Sequence, residues 1–196
     1  MNRTGIYLSV LLTFFTAVSA LAQKTDSSIG LKAGDPVGVT YKQYMGGGTA
    51  FEVVLGTVPR GWYNDYYRNA FDNEFDFSAR YISHDIEMAI AVQARIMWHS
   101  SLEEYIPDSE WYWGVGGNLR LANIDYRYDV MRNGSLISRE RSDETNFDLG
   151  PEIFAGGEYY FQEVPLTAFV ELGLMLELLD QVNLRVLGGG GIRYNF

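Results

Sequence analysis

Cysteine is absent from the 196 residues. The chain therefore has neither a disulfide framework nor a thiol for a lipid anchor, and if exported it must hold together by packing and hydrogen bonds. Lysine is scarce: Lys24, Lys32 and Lys42 stand beside twelve arginines. Acidic residues outnumber basic ones 25 to 15, a net charge of −10, which speaks against the Lys/Arg stripes of a nucleic-acid binder. Two histidines without cysteine are a poor basis for a metal site. No metal, cofactor or nucleic acid is expected. Beyond residue 18 no apolar run is long enough for a membrane helix.

What is present begins with an export pattern. Arg3 gives a positive start, residues 6–18 are apolar, and Ala20-Leu21-Ala22 before Gln23 is a small-residue cleavage site. Residues 1–22 are expected as a signal peptide and 23–196 as one β-barrel domain, which suits a chain of this size. Removing 22 of 196 residues leaves 174. Arg3 is the one charge lost, so 14 basic residues then face 25 acidic ones, net −11.

Strict alternation recurs along the rest. In "LTAFVELGLMLEL" (166–178), Leu166, Ala168, Val170, Leu172, Leu174, Leu176 and Leu178 alternate with Thr167, Phe169, Glu171, Gly173, Met175 and Glu177. A period of two makes a strand with one apolar face, and its length suits a tilted membrane strand. "IEMAIAVQARIMW" (86–98) sets Ile86, Met88, Ile90, Val92, Ala94, Ile96 and Trp98 against Glu87, Gln93 and Arg95. Residues 111–121, 147–161 and 182–196 repeat the rule, with shorter candidates at 29–34, 37–44 and 49–57. The pattern predicts an all-β, antiparallel, up-and-down transmembrane β-barrel of eight strands. The count rises to ten if 75–83 and one further segment cross separately.

"GDPVG" and "LDQVN" are tight turns on one side of such a barrel, and "MGGGT" and "FQEVP" are short turns on the other. Residues 58–85 and 123–146 are long, polar and tyrosine-bearing. Asn133-Gly134 is a hairpin signal that extends strands five and six into a protruding ribbon. No helix-forming segment follows Gly46-Gly47-Gly48, so these glycines are not a phosphate cradle.

Alternation alone does not say which face is inside. A lipocalin-like barrel turns its apolar face inward, and a membrane barrel turns it outward. The polar face is glycine-rich, as a narrow lumen requires. Its charges nearly cancel: Lys32, Lys42, Arg95, Arg120, Arg185 and Arg193 against Glu52, Glu87, Asp148, Glu152, Glu158, Glu171 and Glu177. A closed interior demands such balance, because an unpaired buried charge is expensive. Arginine in place of lysine fits, since a planar fork bridges two carboxylates. Trp98, Trp111, Trp113, Tyr159, Phe161, Tyr194 and Phe196 fall at one end, where a periplasmic aromatic girdle is expected. The long loops fall together at the other.

The segments "IGLKAGDPVGVTYKQY", "AFEVVLG", "WYWGVGGNLRL", "GGEYYF" and "IRYNF" resemble small eight-stranded outer-membrane barrels of the OmpA/OmpX type and the porin-like barrels of Gram-negative bacteria. The resemblance covers most of 28–57 and 110–196. It implies an integral outer-membrane protein, monomeric, in contact with lipid and lipopolysaccharide. It also implies that the last strand addresses the barrel-assembly machinery through Gly191, Tyr194 and Phe196. Gly189 stands where that family has a polar residue.

An eight-stranded lumen is just wide enough for side chains to fill. The expected role is therefore structural or surface-interactive, through outer loops 58–85 and 123–146. Trp62, Tyr63, Tyr66 and Tyr67 form a candidate surface for an extracellular protein or glycan, or else an outer girdle on lipopolysaccharide. Two alternatives come from other classes. His99 and Ser101 in "WHSSLEEY" resemble the His-x-Ser of the outer-membrane lipid A deacylase, without the surrounding motif, and the register turns His99 inward. A narrow pore lined by Glu171 is the other. "DNEFD" (72–76) lacks the glycine and spacing of a calcium loop.

Overall fold

The computed structural model describes residues 26–59, 61, 64, 67, 68, 71, 79–132, 135–179 and 182–196. The expected signal peptide at 1–22, the "DNEFD" segment and the Asn133-Gly134 turn lie outside them. Eight strands occur among the described residues: β1 Ser27–Gly34, β2 Val37–Gly46, β3 Thr49–Thr57, β4 Ala79–Ser101, β5 Ser109–Arg132, β6 Ser135–Tyr160, β7 Leu166–Glu177 and β8 Asn183–Asn195. Each pairs antiparallel with the next, and β8 returns to β1 with Ser28 opposite Asn195 and Gly34 opposite Gly189. The result is a closed barrel with no free edge around its ring.

The alternation decides what faces where. On β7, Thr167, Phe169, Glu171, Met175 and Glu177 are buried, while Leu172 is 69% exposed. On β8, Arg185 and Arg193 are buried and Val186 is 72% exposed. The polar side therefore lines the lumen and the apolar side faces out, the inverse of a soluble barrel. Glycine lets neighbouring strands curve this tightly. A methyl group built on Gly191 would run into the Leu31 carbonyl, and one on Gly38 into the Leu55 carbonyl.

The β2–β3 turn is made by Gly46, Gly47 and Gly48 at φ of 84°, 61° and 76°. Side chains resist that region. Gly48→Ala should destabilise the barrel by about 1–2 kcal/mol, seen as a lower urea midpoint in detergent. Its new methyl would also press the His99 carbonyl at 3.0 Å.

Two expectations need correction. In the first long loop 79–85 belongs to β4, while 123–132 pairs with 135–146 as the expected ribbon, with a register shift at Val130/Met131. Ala79–Ser83 is thus not a separate crossing, and 75–78 lies outside the described residues. Second, a bulge at Ile86/Met88 resets the phase of β4. Ile86 turns into the lumen and Glu87 faces solvent. A bulge inserts one residue and so exchanges the two faces beyond it.

Candidate functional site

Inward positions on several strands bring charges to the barrel axis. Near the middle, Arg95 of β4 reaches Glu152 of β6 at 2.5 Å, Glu171 of β7 at 2.6 Å and Glu52 of β3 at 3.4 Å. Arg193 of β8 spans Glu52 at 2.5 Å and Glu158 at 2.6 Å. Its guanidinium lies 3.6 Å from the centre of the Phe169 ring, a cation–π contact that covers its apolar face. Lys32 meets Glu171 at 2.5 Å and Lys42 meets Glu158 at 2.6 Å. Neutral donors complete the set: Gln93 and Asn118 donate to Glu152 at 2.9 and 3.0 Å, and Thr40 donates to Glu52.

A second group lies nearer the ribbon formed by the extended β4–β6. Arg185 donates to Asp148 at 2.7 Å and to Glu177 at 2.8 Å. Arg120 contacts Asp35 at 3.1 Å. Lys32, Lys42, Arg95, Arg120, Arg185 and Arg193 are thus buried inside with Asp35, Glu52, Asp148, Glu152, Glu158, Glu171 and Glu177, six cations to seven anions. Asp35 takes the place that the sequence assigns to Glu87. It sits in the β1–β2 turn, where no strand period marks it.

The lumen changes character toward the ribbon. Val58, Tyr67 and Phe71, from the connection between β3 and β4, pack on Ile86, Ala89, Ala91, Ala122, Ile124 and Tyr126. Phe71 lies 5.4 Å ring to ring from both Tyr81 and Tyr126. Tyr67 is therefore not a surface residue but 3% exposed, its carbonyl accepting the Tyr126 hydroxyl at 2.8 Å. Trp62, Tyr63 and Tyr66 lie outside the described residues. Removing that hydroxyl with Tyr126→Phe should loosen the cap by about 1 kcal/mol, read as faster amide exchange over Val58 and Phe71.

His84 adds a pH dependence to the cap. The Tyr81 hydroxyl meets its Nδ1 at 2.7 Å, the rings of Tyr67 and Tyr126 flank it, and Arg68 lies over the Tyr81 ring. Burial holds the imidazole below its ordinary range, against the opposite pull of Asp85. The folded form then binds fewer protons than the unfolded one. The stabilisation is complete above about pH 6.5 and falls as the pH drops through that value. Limited proteolysis of the 58–78 segment should accelerate on acidification in the wild type and respond less in His84→Gln.

On the outer face of the ribbon, Arg80 and Arg139 both bind Asp129, at 2.8 and 2.9 Å. The hydrogen bonds from Arg139 and then Arg80 hold its carboxyl below the usual range. Arg141 binds Asp125 at 2.7 Å.

At the end away from the ribbon, aromatic side chains collect outside the barrel. Trp98 and Trp113 lie 4.7 Å apart ring to ring, Tyr159 and Phe161 5.2 Å, and Tyr194 and Phe196 6.5 Å. Trp111 is exposed beside them. Inside the same end, His99 Nδ1 lies 3.0 Å from the Gly48 carbonyl and Nε2 lies 2.7 Å from the Lys42 ammonium. Ser101 Oγ accepts the Glu103 N–H instead. Both nitrogens of His99 are thus engaged away from Ser101, and the hydrogen bond of a Ser–His pair is not made.

No protein-family model matches the chain, and no curated protein matches it. Among solved structures it is similar to the N-terminal β-barrel domain of Pseudomonas aeruginosa OprF, with 17% identity and a TM-score of 0.47 over 89% of this chain and 100% of that one. It is also similar to Neisserial surface protein A, with 12% identity and a TM-score of 0.45 over 87% of this chain and 93% of that one. The strand order itself carries the conclusion on fold: eight antiparallel strands run up and down and close β8 on β1.

Proposed function

We propose that the chain is an integral outer-membrane barrel of a Gram-negative bacterium, structural or surface-interactive in role, with a lumen filled by its own side chains. One observation carries this reading: among the described residues most leucines and valines of the wall point outward, while thirteen charged side chains are buried in the lumen. In water that arrangement would forfeit hydrophobic burial and desolvate ions to no purpose; in lipid it satisfies both.

The ribbon end then faces outward and the C-terminal end the periplasm. Trp98, Trp111, Trp113, Tyr159, Phe161, Tyr194 and Phe196 sit at the inner interface, where amphipathic rings are favoured. Gly191, Tyr194 and Phe196 serve as the address for the barrel-assembly machinery. The arginines outside the ribbon meet lipopolysaccharide, and the ribbon carries contacts with extracellular protein or glycan. Ion pairs at successive levels of the lumen support a plugged barrel over a pore, and the engagement of His99 supports a non-enzymatic role. The barrel works as a monomer.

Membrane fractionation followed by gel electrophoresis, with and without boiling, tests the proposal. The protein should sediment with the outer membrane and migrate differently before and after boiling. Recovery in the soluble periplasmic fraction would overturn it.

A further inference from the structure

At the C-terminal end of the lumen, four oxygens of Tyr44, Glu110, Glu158 and Tyr160 meet. The Tyr160 hydroxyl lies 2.9 Å from Glu110 Oε2, 3.0 Å from Glu158 Oε2 and 3.1 Å from the Tyr44 hydroxyl. Tyr44 lies 3.1 Å from Glu158 Oε2. Lys42 and Arg193 already bring positive charge to the other oxygen of Glu158, each at 2.6 Å.

A nitrogen ligand stands at the same place. His99 Nδ1–H donates to the Gly48 carbonyl, which leaves Nε2 as the acceptor on the lumen side, 2.7 Å from the Lys42 ammonium and 3.9 Å from Glu158 Oε2. Anchoring one imidazole nitrogen on a backbone carbonyl is how proteins orient a metal-binding histidine. The ligand atoms of His99, Glu110 and Glu158 lie within 4.8 Å of one another. Adjacent strands β4, β5 and β6 carry them. Tetrahedral zinc, with bonds of roughly 2.0–2.2 Å, needs its ligand atoms about 3.5 Å apart, a contraction within reach of side-chain rotation.

We propose that His99 Nε2, Glu110 and Glu158 bind one divalent ion of the zinc class at the C-terminal mouth of the barrel. Water would complete the tetrahedron, and the Tyr160 hydroxyl would bond to the carboxylates behind it. The imidazole favours zinc or cobalt over calcium and magnesium, which prefer all-oxygen shells. The Lys42 ammonium, 2.7 Å from His99 Nε2 and 2.6 Å from Glu158 Oε1, holds the position as a built-in cation. It gives way toward the rings of Tyr44 and Tyr112, which it already overlies. The ion would clamp β4, β5 and β6 together where the lumen opens.

The test uses full-length folded protein in detergent, purified without a histidine tag. Cobalt should give the visible absorption of a tetrahedral site, zinc should abolish it, and equilibrium dialysis should find one ion per chain. Zinc, but not magnesium, should raise the heat-unfolding midpoint. His99→Gln and Glu110→Gln should each lose the cobalt spectrum while remaining heat-modifiable, whereas His84→Gln keeps it. Lys42→Met, which removes the competing ammonium, should bind cobalt more tightly. Wild-type protein that takes up neither ion at neutral pH would show that a proton shared by the carboxylates suffices, and would overturn the proposal. Binding unchanged in both His99→Gln and Glu110→Gln would place the ion elsewhere and overturn it equally.

Discussion

Arg95→Met should lower the unfolding free energy by about 3–5 kcal/mol, the largest loss expected from a single charge in this molecule. Among the described residues, Arg95 is the one side chain that touches Glu52, Glu152 and Glu171 together. Methionine preserves most of its apolar stem and its contact with Phe154, where the guanidinium now lies 4.4 Å from the ring centre. What vanishes is the positive fork. Glu171 retains Lys32, and Glu52 retains Arg193 and Thr40, but Glu152 is left with the amides of Gln93 and Asn118. An ionised carboxylate at that depth must then be protonated or admit water.

Lysine at position 95 should rescue only part of the loss, because one ammonium does not reach in three directions. The double variant Arg95→Met/Glu152→Gln should recover a larger part, because it removes the stranded charge along with its partner. Urea unfolding in lipid vesicles measures all three. A loss of under about 1 kcal/mol in Arg95→Met would mean that the pairs behave as solvent-exposed ones, and that the lumen is wet throughout.

The strands were legible because one property, the period-two exchange of apolar and polar side chains, is written into every one of them. Leu172 and Glu171 are adjacent in sequence and on opposite sides of the wall for that reason alone. The features that escaped the pattern do not repeat. The bulge at Ile86/Met88 moves Glu87 out and Ile86 in, and no composition signal marks it. Asp35 reaches Arg120 from a turn, where side-chain direction is set by the loop and not by the pleat. Tyr67 and Phe71 look like loop aromatics, yet the small side chains of Ala89, Ala91 and Ala122 leave them a place inside. Those alanines were the available signal: three small residues on the inward face at one end of β4 and β5 mark a space that another segment must fill. His99 was assigned inward by register alone, but its neighbours Glu110, Glu158 and Tyr160 come together only through strand pairing.

Leu172→Arg separates a membrane wall from a wet one more sharply than any lumen variant. Leu172 sits near the middle of β7, opposite Ala155 on β6 and Gly188 on β8, with its side chain outside. On a water-facing strand, an exposed leucine replaced by arginine changes stability by no more than about 0.5 kcal/mol. On the lipid face of a barrel near the bilayer midplane, the same change costs about 2–4 kcal/mol, because the guanidinium must be pulled to the interface or hydrated by a defect in the bilayer. Tyr105, in the β4–β5 turn and 79% exposed, is the internal control. Tyr105→Arg lies beyond the apolar wall and should cost about 0–1 kcal/mol. The expected outcome is therefore a depth profile: a large penalty at Leu172, a small one at Tyr105, both measured by urea unfolding of the barrel in lipid vesicles. Equal, small penalties at the two positions would show that the outward leucines meet water.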